Sequence, residues 1–324
     1  MLEIFRLIRI HTIIFAALTM YAMRYFVVLP MLQLNGFTLQ MTDWAFALLV
    51  IAVCCLISGA YVINDYFDTK TDRISGVKDV LVGKSISRRM AISMHTLFNV
   101  IAVGIAFYLG FAVGVWKIGI LFLLVSGILW FYSTVYKKYF IVGNVMVGLL
   151  GALIPVCAII YEIPLLNIAY TDILVETDTN FAYMFYWVFG FSWFIFLNIL
   201  MYEINKDIYT LEGDRENGVN TIPVKCGVQV ARMTITILAV LAMISVIAGY
   251  YLEFSASLAI LVYCVVALLI PYLIYIIVIN SKQPERTVSL NLIRLITLLC
   301  LGISVLLKYF FQLIFLINSI FYGV

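Results

Sequence analysis

The sequence predicts an all-α fold: a polytopic membrane protein with nine transmembrane helices in one bundle. Of its 324 residues, 65% are hydrophobic and only 11% are charged, and the mean hydropathy is +1.11. Soluble domains have about half apolar and about a quarter charged residues, so this composition cannot enclose one core within a surface that water wets. It excludes a nucleic-acid-binding protein, a disulfide-framed secreted domain and a disordered chain.

Uncharged runs recur along the chain. A helix needs about 20 such residues to cross a bilayer, because lipid offers no partner to backbone or ionised groups. Seven runs meet this requirement, and two more are interrupted by one cation each, Arg24 and Lys308. The first run could instead be a cleaved signal peptide, but its apolar character resumes after Arg24 and eight more runs follow. The predicted spans are 10–30, 44–63, 90–116, 118–136, 139–161, 179–202, 233–252, 254–281 and 295–317.

Positive charge is confined almost entirely to alternate connections. With the N-terminus in the cytoplasm, the inner segments hold every Lys and Arg except Arg24, Lys117 and Lys308. Short cytoplasmic loops are enriched in these residues, so the pattern supports nine spans and a cytoplasmic N-terminus. We expect an integral protein of a bacterial or archaeal plasma membrane whose active site faces the cytoplasm.

Two inner loops, at about 66–89 and 203–232, carry most of the ionisable residues of what we expect to be a single membrane domain over 1–324. If the second helix continues into the first loop, Asn64, Asp68 and Asp72 lie at i, i+4 and i+8 on one helix face. In the second loop, Asp207 and Asp214 are a heptad apart. Charged helix ends are ordinary, but two clusters of oxygen ligands in helical register favour a site.

Both clusters indicate the same metal. They offer oxygen ligands with no His or Cys nearby, which favours Mg²⁺, an ion that typically joins protein carboxylates to substrate phosphates. Basic residues would meet those phosphates from the same side. The candidates are Arg73, Lys78, Lys84, Lys137, Lys138, Lys206 and Arg215. A diphosphate beside a lipid-facing bundle describes a prenyl diphosphate, so we expect that substrate, a lipophilic acceptor, contact with membrane lipid and no obligate protein partner.

One family pattern matches both clusters. The run from Asn64 to Asp72 resembles the first aspartate-rich motif, N-D-x-x-D-x-x-x-D, of the UbiA superfamily of intramembrane prenyltransferases. The second motif is similar to Lys206-Asp207 with Glu212-Gly213-Asp214-Arg215 and Thr221-Ile222-Pro223. Further matches are Arg9 at the start of the first helix, and Tyr132-Ser133, Lys137-Lys138 and Gly143-Asn144 around the fourth and fifth helices. The resemblance covers nearly the whole chain.

The resemblance implies transfer of a prenyl group from its diphosphate to an acceptor. Asp68, Asp72, Asp207 and Asp214 would be the catalytic carboxylates, and together with Asn64 they would hold Mg²⁺. Charge grows on the diphosphate as the allylic C–O bond breaks, and fixed cations stabilise that charge more than the ground state. Aromatic faces would shield the allyl cation. The candidates by position are Tyr66, Phe67, Tyr132 and Tyr209.

Three departures from the family pattern bear on this interpretation. Thr210 stands where an Asp is common, so either Asp207 would hold the metal with Glu203 or Glu212, or that metal would bind weakly. Asp79 replaces an Arg, and Lys78 or Lys84 would have to supply that cation. The first helix lacks the usual Asn after Arg9, which leaves the neighbouring His11 either as packing at the interface or as a contact to the acceptor.

The acceptor has two candidates within the family. The segment 82–89 and the Lys206-Asp207 pair are most similar to members that prenylate geranylgeranylglycerol phosphate in ether-lipid synthesis. An aromatic acceptor of quinone biosynthesis, hydroxybenzoate or dihydroxynaphthoate, is the alternative. A transporter with a carboxylate-lined ion site is an alternative of another class, but transporters place such groups near the bilayer midplane rather than at helix ends. A relative without catalytic activity is also open, because of Thr210 and Asp79.

Overall fold

The structure is a computed structural model that describes residues 2–76, 80–254 and 257–322, with side chains to residue 314 except that of Ser75. Nine helices in these residues are long and apolar enough to cross a membrane. They are α1 (Ile10–Leu34), α2 (Asp43–Ser75), α3 (Arg88–Val113), α4 (Lys117–Thr134), α5 (Val142–Ala169), α6 (Ala182–Tyr209), α7 (Val228–Glu253), α8 (Leu258–Ile279) and α9 (Arg286–Tyr322). The predicted all-α fold with nine spans is confirmed, whereas the cytoplasmic N-terminus and the single domain stay predictions.

The second helix is longer than the predicted span 44–63. It begins after Thr42, whose side chain accepts a hydrogen bond from the Ala45 amide, and it ends at Gly76. Gly76 has φ 60°, the left-handed conformation that closes many helices, and its N–H donates to the Asp72 carbonyl at 3.1 Å. The first aspartate-rich segment therefore lies on a helix, and the loop predicted at about 66–89 begins ten residues later, at Gly76.

Three spans are irregular. A π-helical turn covers Met23–Val28 within α1, and a second covers Cys264–Leu269 within α8. In α5 the regular helix Val142–Cys157 contains Pro155 and is followed by Glu162–Ala169 after a short break. Such breaks let a helix change direction where Pro or an inserted residue interrupts the hydrogen-bond ladder.

Residues at one end of the bundle cover the ends of α2 and α3. The segment after α2 makes a tight turn in which Val82 and Ile86 form an isolated bridge. Both side chains are buried with Leu7, which belongs to the short helix Leu2–Leu7 that precedes α1. Lys78 and Asp79, which the sequence analysis singled out, lie outside the described residues.

At the opposite end, a buried ion pair explains the cation that interrupts the first predicted span. Arg24 Nη1 lies 3.0 Å from Glu162 Oε2, and both side chains are almost fully buried. Glu162 also accepts a hydrogen bond from the Met41 amide at 3.2 Å. These contacts join α1, the connection to α2 and the second part of α5. A buried charge is tolerated here because a partner of opposite charge satisfies it.

Candidate active site

The first aspartate-rich segment places its Asn and Asp side chains along the last turns of α2, where they are buried or half-buried. The Asn64 amide nitrogen donates to Asp68 Oδ2 at 2.8 Å, as their i, i+4 spacing predicts. Asp68 also forms an ion pair with Lys137, which lies in the short 3₁₀ turn Tyr136–Lys138 between α4 and α5. Asp72 follows one turn later and is half-buried. The structure thus brings Asn64, Asp68 and Lys137 together.

The second cluster lies at the end of α6, which packs extensively against α5. Asp207 is 7% exposed, and its Oδ2 accepts a hydrogen bond from the Asn144 amide of α5 at 2.9 Å. Lys206 forms an ion pair with Glu203 on the same helix. The Asp207 carboxylate also lies in the electrostatic field of Lys206 and Asp214. Two predicted site residues, Lys206 and Asp207, therefore share one half-buried polar cluster.

Asp214 connects the two clusters. It lies on the short helix Leu211–Glu216, which packs against α2, and its Oδ2 accepts a hydrogen bond from the Thr210 hydroxyl at 2.8 Å. Burial raises the pKa of the Asp214 carboxyl to about 6, although the Thr210 hydroxyl and the Lys206 and Lys137 ammonium groups oppose the rise. Asp68 is also within electrostatic range of Asp214. The two aspartate-rich segments thus face each other at one end of the bundle.

The remaining predicted cations are solvent-exposed. Within the residues that the structure describes, they form no side-chain hydrogen bond or ion pair; they are Arg73, Lys84, Lys138 and Arg215. Lys138 contributes only its carbonyl, which accepts from the Asn220 amide at 3.1 Å. Lys78 lies outside the described residues. A role for these five in binding phosphate stays a prediction.

The oxygen donors of the site fit Mg²⁺ by their chemistry. Across the described part of the chain, no three Asp, Glu, His or Cys side chains converge on one point. Asp68, Asp207 and Asp214 each accept a hydrogen bond from a neighbour instead. Oδ1 of Asn64 is buried and has no hydrogen-bond partner there. An unsatisfied amide oxygen beside carboxylates is the kind of ligand that a hard divalent cation prefers.

A cavity of about 240 Å³ leads away from these polar groups. Its polar end is lined by Arg9, Asn64, Glu203 and Lys206, and the rest of its wall is almost wholly apolar. The lining along α5 extends from Val147 to Cys157, a distance of about 15 Å for an α-helix, and continues to Ile160 in the break that follows. A polar head and a long hydrocarbon tail would both be accommodated by this shape.

Only one of the four predicted aromatic candidates lines the cavity. Tyr132 does so, and it lies within electrostatic range of Asp68 and Asp207. The ring of Tyr66 instead lies beneath the Arg88 guanidinium, whose carbon is 5.3 Å from the centroid of the tyrosine ring. Phe67 packs against Trp130, and the Tyr209 hydroxyl contacts Ser289 at 3.1 Å. The sequence pattern could not distinguish these four, because each follows or precedes a charged segment.

Two site residues were underestimated by the sequence analysis. Arg9 has φ 52° at the junction with α1, lies 3.4 Å from Asp65 and stacks over the Tyr61 ring at 4.3 Å. Asn144, which the sequence analysis named only as part of a family match, donates a hydrogen bond to the Asp207 carboxylate. Asn144 could have been identified from the sequence as a polar side chain near the start of an apolar run, because polar groups in such positions tend to face the protein interior.

Comparison with known proteins identifies the family. The model of the UbiA prenyltransferase family matches residues 35–293, which is most of the chain. The chain belongs to this family. It is therefore an enzyme, a membrane-embedded prenyltransferase, and the transporter alternative is set aside. The resemblance inferred from the two aspartate-rich motifs is confirmed.

Two archaeal relatives of this UbiA prenyltransferase share one name. Digeranylgeranylglyceryl phosphate synthase of Sulfolobus acidocaldarius is 24% identical over 294 residues, covering 89% of this chain and 91% of that protein. The enzyme of the same name from Methanosphaera stadtmanae is 26% identical over 228 residues, covering 70% of this chain and 75% of the relative.

Solved structures share the fold. The apo structure of a UbiA homolog from Aeropyrum pernix K1 has a TM-score of 0.62 at 15% identity and covers 90% of this chain and 98% of its own. A UbiA homolog from Archaeoglobus fulgidus, bound to GPP and Mg²⁺, has a TM-score of 0.57 at 18% identity and covers 95% of this chain and 99% of its own.

Proposed function

We propose that this UbiA prenyltransferase transfers a geranylgeranyl group from geranylgeranyl diphosphate to geranylgeranylglyceryl phosphate, with Mg²⁺ as cofactor. The observation that carries the proposal is one continuous cavity whose polar end holds Asn64, Lys206 and Arg9 and whose apolar wall continues for about 15 Å along the regular part of α5. The name shared by the archaeal relatives supports the choice of acceptor. The structure with bound GPP and Mg²⁺ belongs to a homolog of the same fold and supports the choice of donor and metal.

In this proposal the two aspartate-rich segments bind the diphosphate from opposite sides. Asn64, Asp68 and Asp72 on α2, and Asp207 and Asp214 on the other side, are the oxygen donors that would hold Mg²⁺. Bound there, the metal would offset the negative charge of the diphosphate. Because Asp207 and Asp214 are buried, their charge is expensive without a cation nearby, which favours binding of the metal and substrate together.

The chain's own residues then control the bond exchange. The C1–O bond of the prenyl diphosphate breaks, its electron pair leaves with the diphosphate, and the acceptor hydroxyl oxygen bonds to C1 and gives its proton to the released diphosphate. Lys137 and Lys206 lie beside the carboxylates and place fixed positive charge where the leaving group develops negative charge. The ring of Tyr132 lines the cavity, where its face can stabilise the allyl cation and exclude water.

Product analysis tests the proposal. Purified protein in detergent is supplied with geranylgeranyl diphosphate and Mg²⁺, and with either geranylgeranylglyceryl phosphate or hydroxybenzoate. We expect diphosphate release that depends on the glyceryl phosphate acceptor and on Mg²⁺, with an ether product identified by mass. Prenylation of hydroxybenzoate alone would refute the proposed acceptor and assign the aromatic branch. Equal turnover in the presence of a chelator would refute the metal.

A further inference from the structure

A second basic cluster lies at the same end of the bundle, outside the two aspartate-rich segments. Arg294 of α9 donates through Nη2 to the Tyr202 hydroxyl of α6 at 2.6 Å, and its guanidinium lies 5.1 Å from the centroid of that ring. Its Nη1 donates to Asn291 at 3.1 Å. His11, near the start of α1, lies in the electrostatic field of Arg294. Three helices that contact one another thus contribute to one cluster.

No carboxylate pairs with the Arg294 guanidinium in the described part of the chain. Both hydrogen-bond acceptors of Arg294 are neutral, and among the described residues it forms no ion pair. Arg9, which also acts electrostatically on His11, is paired with Asp65 at 3.4 Å, so Arg294 is the cation left for a ligand. Arg294 and His11 are both exposed, so an incoming anion would reach them. A basic pocket between helices near a membrane surface is a binding site for anionic lipid headgroups.

The cluster borders the polar mouth of the cavity. Thr12 and Glu203 line the cavity, and each is the immediate chain neighbour of a cluster residue, His11 and Tyr202 respectively. Successive residues of a helix point about 100° apart, so each pair spans adjacent faces of its helix. A group bound at Arg294 would therefore lie beside the cavity rather than inside it, away from the carboxylates that bind the diphosphate.

We infer that Arg294, held by Tyr202 and assisted by His11, binds the phosphate monoester of the acceptor lipid. This inference rests on the proposed function, since it assigns a site to the acceptor that the proposal names. Arginine is suited to this role because its planar guanidinium offers several donors to phosphate oxygens at once. The Tyr202 hydroxyl accepts a hydrogen bond from one of those donors and fixes the orientation of the guanidinium, which leaves other N–H groups free to bind the ligand.

A binding experiment tests the site without any turnover. Purified protein is incubated with dioleoyl phosphatidic acid, a phosphate-monoester lipid, or with dioleoyl phosphatidylcholine, and bound lipid is counted by native mass spectrometry. We expect wild-type protein to retain phosphatidic acid and Arg294→Gln to lose about tenfold in its affinity, which corresponds to one charge-assisted hydrogen bond. The matched control is Arg89→Gln, which removes an exposed arginine at the same end of the bundle. Equal retention by Arg294→Gln and Arg89→Gln would overturn the inference.

Kinetics distinguish the acceptor from bulk anionic lipid. In nanodiscs of phosphatidylcholine, Arg294→Gln should raise the KM for geranylgeranylglyceryl phosphate about tenfold and leave the KM for geranylgeranyl diphosphate unchanged, while Arg294→Lys restores part of the loss. An effect seen only after phosphatidylglycerol is added would overturn the assignment to the acceptor. Absence of wild-type turnover would refute the proposed function alone, because the lipid-binding experiment would still report on the cluster.

Discussion

Lys137 forms an ion pair with Asp68, although 69 positions separate the two residues in the chain. The pair joins the 3₁₀ turn between α4 and α5 to the aspartate-bearing end of α2. Lys137 thereby occupies a defined position at the polar end of the bundle instead of sampling solvent. Its neighbour Lys138 is exposed, so adjacent residues of the same type have different environments.

Replacing Lys137 by Met should therefore impair the proposed reaction. We expect kcat to fall by about a hundredfold, the usual effect of removing a positioned group that stabilises developing negative charge. The measurement is product formation under saturating substrates, with circular dichroism to verify folding. Lys225→Met removes an exposed charge at the same end of the bundle and should leave kcat within about twofold of wild type. Equal effects of both substitutions would show that only net charge matters.

The buried oxygen of Asn64 makes a separate prediction about metal. Asn64→Leu removes Oδ1, and we expect the Mg²⁺ concentration for half-maximal turnover to rise about tenfold or more. Asn64→Asp is the matched variant, because it keeps an oxygen at this position and should retain Mg²⁺ dependence near the wild-type concentration. A Mg²⁺ titration of turnover checks both. The same titration curve for all three proteins would exclude Asn64 as a ligand.

The apolar wall of the cavity should limit the length of the prenyl chain. Cys157 lines the cavity near the end that is remote from the carboxylates, so Cys157→Trp should fill it. We expect kcat/KM for geranylgeranyl diphosphate to fall at least tenfold while that for geranyl diphosphate changes little. Leu149→Trp places the same bulk on an exposed face of α5 and serves as the control. If Cys157→Trp lowers both values equally, the tail does not reach this position.

The ion pair between Arg24 and Glu162 should contribute to stability without affecting chemistry. Arg24→Leu leaves Glu162 buried without its cation, and we expect the free energy of unfolding to fall by about 3 kcal/mol or more. The double substitution Arg24→Leu with Glu162→Leu should recover part of that loss, because no unpaired buried charge remains. Unfolding in detergent, followed by circular dichroism, is the measurement. A double variant less stable than Arg24→Leu would contradict this account.

Features that depend on local composition were predictable from the sequence. The nine spans follow from runs of apolar residues, since a bilayer demands about 20 of them regardless of how helices pack. The contact between Asn64 and Asp68 follows from i, i+4 spacing once α2 continues past residue 63. Family membership follows from the two aspartate-rich motifs. Helix ends were less predictable, because the left-handed Gly76 stops α2 at a position that hydropathy does not mark.

Contacts between helices were decided by the tertiary structure. Nothing in composition or spacing pairs Lys137 with Asp68, Asn144 with Asp207, or Arg294 with Tyr202. Each pair depends on how two helices rotate and cross, which is determined by packing over their whole length. The sequence by itself therefore determined the membrane class, the number of spans and the enzyme family. Only the fold selected Lys137 from the many basic residues as a contact of the site carboxylate Asp68, because selection requires distances between residues remote in the chain.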